Sequence, residues 1–160
     1  MNETVTKPDP GGIANLIVRP HHVAVSVKDF DAALDFFVRV TGMKVLGEMD
    51  HRRESNLDSV VGLDNVDIRW AMLEREGFHI ELFKYYQPEG HRREIRQCDH
   101  GLTHLCFEVY DVDLAYEKII AAGYRTSAPP LELRGGRSKA IYVEGPEGIV
   151  VEFLQLRPWK

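Results

Sequence analysis

From residue 21 onward, apolar and polar positions alternate in two successive periods, and the same succession occurs twice. HHVAVSVKDFDAALDFFVRVTG (21–42) and THLCFEVYDVDLAYEKIIAAG (103–123) each begin with a two-residue alternation and pass into steps of three and four. In the first, Val23, Val25 and Val27 alternate with His22, Ala24 and Ser26; in the second, Leu105, Phe107 and Val109 alternate with His104, Cys106 and Glu108. This is the period of a strand with one apolar face, and each histidine lies opposite that face. Asp29 and Asp111 follow seven residues after the histidines, placed to cap the helices that the next period predicts. Helix one is expected to bury Phe30, Ala33, Leu34, Phe37 and Thr41, and helix two Val112, Ala115, Tyr116 and Ile119. Each stops at a glycine, Gly42 or Gly123, suited to a left-handed C-cap.

The repeat continues downstream. GFHIELF (77–83) and GIVVEFL (148–154) predict strands that carry Glu81 and Glu152 four residues after their glycines. The His-to-Glu separations, 59 and 48, differ by 11, which the longer connection GEMDHRRESNLDSVVGLDNVD (47–67) absorbs. The pattern predicts an α+β fold of two paired βαβββ modules forming a cupped mixed sheet. One domain is expected over 16–160, with module one at about 16–86, a linker at 87–100 and module two at about 101–156. Residues 1–15, punctuated by Pro8, Pro10, Gly11 and Gly12, predict a flexible leader or an arm that orders against a partner subunit.

Composition narrows the function. A net charge of -5 over 160 residues argues against nucleic-acid binding. No apolar run reaches the roughly 20 residues that cross a bilayer, and MNETVTKPDPGG has no secretory pattern, so cytoplasm is the expected location. Two cysteines, Cys98 and Cys106, exclude a disulfide framework, and their spacing of eight is not that of a zinc knuckle.

A single histidine or glutamate on a half-buried strand is ordinarily structural. The repeat changes the weighing. Were the modules to pair about a pseudo-twofold axis with their concave faces together, His22, Glu81, His104 and Glu152 would form one cluster, and two buried carboxylates there call for a counter-charge. A divalent cation supplies it, and the nitrogen and oxygen donors suit nickel, cobalt, manganese, iron or zinc.

HHVAVSVKDFDAALDFF, GLTHLCFEVYDVDLA and YVEGPEGIVVEF resemble the vicinal oxygen chelate superfamily, which holds glyoxalases, epimerases, extradiol dioxygenases and bleomycin-binding proteins, across residues 16–156. The resemblance implies a homodimer, a metal held by His22, Glu81, His104 and Glu152, and a small substrate chelated through vicinal oxygens. This ligand set is similar to that of bacterial glyoxalase I; methylmalonyl-CoA epimerase commonly has glutamine where Glu81 stands. It also implies a lyase, isomerase or epimerase reaction in which Glu152 or Glu81 moves a proton next to a carbonyl. An extradiol-type iron(II) dioxygenase is the alternative: Tyr142, ten before Glu152, favours it, and a fourth protein ligand in Glu81 opposes it. A non-catalytic drug- or toxin-binding protein is the second alternative.

His79, Cys106, Tyr142 and Arg137 are candidate substrate contacts, with Arg134 and Lys139 beside Arg137 in a predicted hairpin at the pocket mouth. His21 is expected on the opposite strand face from His22. The basic runs HRR (51–53) and HRREIR (91–96) are candidate receivers of a carboxylate or phosphate. Phe36, Phe37, Tyr85, Tyr86 and Tyr116 are pocket walls or core.

Overall fold

A computed structural model describes residues 12–157. Residues 1–11 of the expected leader lie outside the described residues; Ala14–Leu16 form a single 3-10 turn. The first half comprises β1 (Val23–Ser26), α1 (Phe30–Asp35), β2 (Lys44–Arg52), α2 (Leu57–Val61), β3 (Asp67–Arg75) and β4 (Phe78–Gln87). The second comprises β5 (Leu105–Glu108), α3 (Val112–Ala121), β6 (Arg125–Thr126), β7 (Leu131–Leu133), β8 (Ser138–Glu144) and β9 (Val150–Leu156). The sheets run β1-β4-β3-β2 and β5-β9-β8-β6, with β7 also on β8. The mixed α+β architecture is the one the periodicities predict. In each half the histidine-bearing strand pairs in parallel with the glutamate-bearing strand, Ala24 opposite Glu81 and Cys106 opposite Glu152. β6 and β7 share β8 as a partner because Pro129 and Pro130 interrupt the chain between them and lack the amide a continuous ladder needs.

The caps act as their positions suggest. The Asp29 carboxylate accepts the Ala32 amide at 3.0 Å, and that of Asp111 accepts the Asp113 and Leu114 amides at 3.0 Å. Helix α1 runs on into a π turn over Phe36–Val40. The wider turn alters the spacing of three and four, so Phe36 and Phe37 are both fully buried. Gly42 ends this run at φ +72°, and a Cβ there would stand 2.6 Å from the Arg75 guanidinium, whose Nη1 donates to the Gly42 carbonyl.

One apolar core serves both halves, joining Phe30, Phe37, Leu73, Ile80 and Leu82 to Leu105, Val112, Val143, Val151 and Phe153. Phe36 bridges them, edge-on to Tyr124 at 4.9 Å and against Gly145. A polar clamp reinforces the joint: the Glu147 carboxylate accepts the Lys28 and Asp29 amides at 2.6 and 2.7 Å. Because both sheets turn their apolar face inward, the alternate positions face away from the shared core. Ala24 and Ser26 on β1, like Cys106 and Glu108 on β5, are exposed while their neighbours are covered. Phe36→Ala is expected to cost about 3–5 kcal/mol in urea unfolding and to leave a single transition, since the halves share their interior; two separated transitions would contradict a common core.

Candidate functional site: two histidine–carboxylate pairs

The outward faces carry two equivalent pairs. His22 Nε2 lies 2.9 Å from Glu81 Oε2, and His104 Nε2 lies 3.3 Å from Glu152 Oε2. The glutamates are the more sheltered partners, with side chains 18% and 12% exposed against 34% and 31% for the histidines. Among the described residues no three His, Cys, Asp or Glu side chains gather as a metal site. Within one chain the four groups therefore stand as two pairs, because the common core turns the polar faces outward.

Each pair is held by neighbours that the repeat does not predict. The Trp70 indole Nε1–H donates to Glu81 Oε1 at 2.6 Å. Trp70 pairs with Phe83 across β3 and β4, one step along the same face from Met72 opposite Glu81. In the other half, Gln97 Nε2 donates to the Thr103 carbonyl at 3.1 Å, which turns its Oε1 toward His104 Nδ1 at 3.0 Å. With that amide oxygen and the Thr103 hydroxyl, 3.1 Å away, both accepting from it, Nδ1 carries the proton, and in neutral His104 the Nε2 lone pair then faces a carboxylate oxygen. Two acceptors meet there, so a proton or a metal cation belongs between them. Bonds of about 2.0–2.2 Å to zinc-like ions put adjacent ligand atoms about 3 Å apart, which each pair satisfies. The donor set thus fits a divalent ion, with two ligands from each pair.

Around Glu152, Cys106 and Tyr142 flank the carboxylate from β5 and β8 in register, and the Tyr142 ring meets His104 at 5.2 Å. Cys106 is exposed as a residue, but desolvation of its thiol, then the charge of Glu152, pushes the thiol up to about 12. Tyr142 is raised by the same two causes, opposed by the Arg134 charge. In the first half, His79 donates from Nδ1 to the Gly77 carbonyl at 3.1 Å and stacks on His21 at 5.7 Å. His21 was expected on the opposite face, yet its Nδ1 lies 2.8 Å from His22 Nδ1. Both residues precede β1, where strand alternation does not hold. Arg137 Nε donates to the Arg134 carbonyl at 3.0 Å, inside the β7–β8 turn.

The first basic run is occupied internally. His51 and Arg53 both bind buried Asp67, and Arg52 binds Glu54, so these groups are not waiting for a ligand's anion. Tyr86 donates to Asp50 at 2.9 Å and stacks on His51, while Tyr116 packs against the core.

Comparison with known proteins agrees with the fold. Residues 19–153 match the sequence model of the Glyoxalase/Bleomycin resistance protein/Dioxygenase superfamily. The chain is 32% identical to a 2-epi-5-epi-valiolone epimerase from Actinomyces sp over 92% of its own length and 81% of that protein. It is 26% identical to a lactoylglutathione lyase from Arabidopsis thaliana, covering 86% of this chain but 44% of that longer protein. A glyoxalase family protein from Bacillus cereus superposes with a TM-score of 0.80 at 20% identity, over 89% of this chain and 96% of the other.

In metal-stripped protein at pH 8, the raised thiol predicts that iodoacetamide modifies Cys98 and leaves Cys106 largely intact, with Cys106 labelling rising as pH climbs toward 12. Peptide mass mapping reads the two sites separately.

Proposed function

This chain belongs to the Glyoxalase/Bleomycin resistance protein/Dioxygenase superfamily, and from that premise we propose that it is a metal-dependent epimerase that moves a proton next to a carbonyl of a small substrate. The observation that carries the reading is the pair of repeat-equivalent His–Glu couples on open sheet faces, each poised to give two ligands. Because a single chain separates them, the full set His22, Glu81, His104 and Glu152 is proposed to assemble between two copies in a homodimer. A bound divalent ion would act as a Lewis acid toward vicinal substrate oxygens and stabilise negative charge developing on the carbonyl.

The chain's own groups do the rest. Glu81 and Glu152, arriving from opposite couples, flank the substrate, so that one carboxylate oxygen takes the proton and the other returns it from the opposite side, as inversion requires. Trp70 holds Glu81 through the bond to Oε1 and leaves Oε2 for this work. Gln97 keeps the His104 lone pair on the side of Glu152. The epimerase relative supports a carbonyl-bearing substrate, and the lyase relative supports the same class of proton chemistry.

The test is incubation of 2-epi-5-epi-valiolone in heavy water with protein loaded in turn with nickel, cobalt, manganese, iron or zinc. Proton NMR is expected to show loss of one hydrogen beside the carbonyl, stopped by chelator and by Glu152→Gln. No exchange with any metal on this ketone or on a medium-chain 2-oxo acid, or oxygen uptake with a catechol and iron(II), would overturn the reading in favour of another chemistry. Trp70→Phe is expected to weaken metal binding about 10–100-fold, read by chelator competition, because it removes a bond that orients a ligand.

A further inference from the structure

The segment between the two halves carries two guanidinium groups that form no ion pair among the described residues. Arg39, Arg69, Arg96, Arg125 and Arg157 each close on a carboxylate at 2.6–3.0 Å. Arg92 and Arg93 make no hydrogen bond or ion pair with any described residue. They line a cavity of about 360 Å³ together with Ser127, Tyr142 and Val150. Two carboxylates border the same space. Glu144 is already bound by Arg125 at 3.0 Å, and Glu94 pairs with neither arginine.

The position of Arg92 is built into the fold. A Cβ on Gly148 would stand 2.9 Å from its Nη2 and 3.6 Å from its Cζ and Nε, so the guanidinium lies over a backbone that only the absence of a side chain leaves open. Gly148 sits at φ +82°, in the turn that leads into the glutamate-bearing strand β9. Tyr142, Ser127 and Val150 also line a second cavity of about 450 Å³, which continues over apolar Leu131, Leu133 and Ala140. A cationic compartment and an apolar one therefore meet at Tyr142, directly across the ladder from Glu152.

We propose that Arg92 and Arg93 form an anion-binding subsite, and that the substrate carries a carboxylate or phosphate group together with an apolar portion that lies over Leu131 and Leu133. Adjacent guanidiniums repel one another, and an anion that bridges them gains charge-assisted bonds from a planar fork suited to either group. The assignment rests on the proposed reaction only in taking the Tyr142–Glu152 face as the place where substrate binds.

Binding of hexanoate, hexyl phosphate and hexanol to the full-length protein, followed by NMR shift titration, tests it without turnover. One or both anions are expected to bind at least about tenfold tighter than the alcohol, with the advantage shrinking at high salt. The stronger anion identifies carboxylate or phosphate. Arg92→Ala with Arg93→Ala should abolish the advantage, while Arg39→Ala in the π turn after α1 should leave it intact. Equal affinity for all three ligands, or an advantage that survives the double substitution, would overturn the proposal. Absence of deuterium exchange on both the neutral ketone and the 2-oxo acid would refute the reaction and leave this titration unaffected.

Discussion

The shared core is the constraint on which the rest of the molecule depends. Two sheets built from one repeated plan bury their apolar faces against each other, with Ile80 and Leu82 on one side and Leu105, Val151 and Phe153 on the other. Strand alternation then leaves Glu81 and Glu152 no choice of direction, and His22 and His104, at the entries to β1 and β5, close on them. They face outward in two pairs. The Glu147 clamp and the Phe36–Tyr124 contact lock that arrangement, so the pairs cannot close on each other without dismantling the core.

The two pairs are equivalent in register but differ in support. Glu81 is steadied through its carboxylate by an indole donor, whereas His104 is steadied through its ring by an amide oxygen. One half fixes the acid group and the other fixes the imidazole tautomer. In the proposed dimer these differences meet at each site, giving two carboxylates distinct surroundings for giving and taking a proton. Glu152 has a thiol and a phenol beside it, both raised by desolvation and by its own charge, whereas Glu81 raises one phenol, that of Tyr85.

Much of the fold was legible because it is written in local signals. The alternation at 22–27 and 104–109, the capping aspartates and the terminal glycines are each decided by residues within a few positions of one another. The π turn was not, since burying both Phe36 and Phe37 depends on contacts with Tyr124 and Gly145 far along the chain. The opposing faces were in fact implied: a histidine opposite the apolar face cannot also point toward the partner module once that face forms the joint. Whether the four groups meet within one chain or between two stayed open, because the repeat alone does not say which faces of the modules form the joint. Trp70 could have been found from the Glu76–Gly77 turn, which sets the β3–β4 register. Gln97 could not, because it reaches His104 from an irregular segment with no period. His21 was misplaced by extending strand alternation two residues before β1 begins.

The central claim, that a complete site takes one pair from each of two chains, is tested most directly by complementation. His22→Ala and His104→Ala proteins, each expected to bind metal poorly, are unfolded together, refolded as an equal mixture and analysed for tightly bound metal. Random pairing makes half of the dimers mixed, each with one intact site of two, so the account predicts recovery of about a quarter of the wild-type metal content. A mixture that binds no more metal than either variant alone would contradict it.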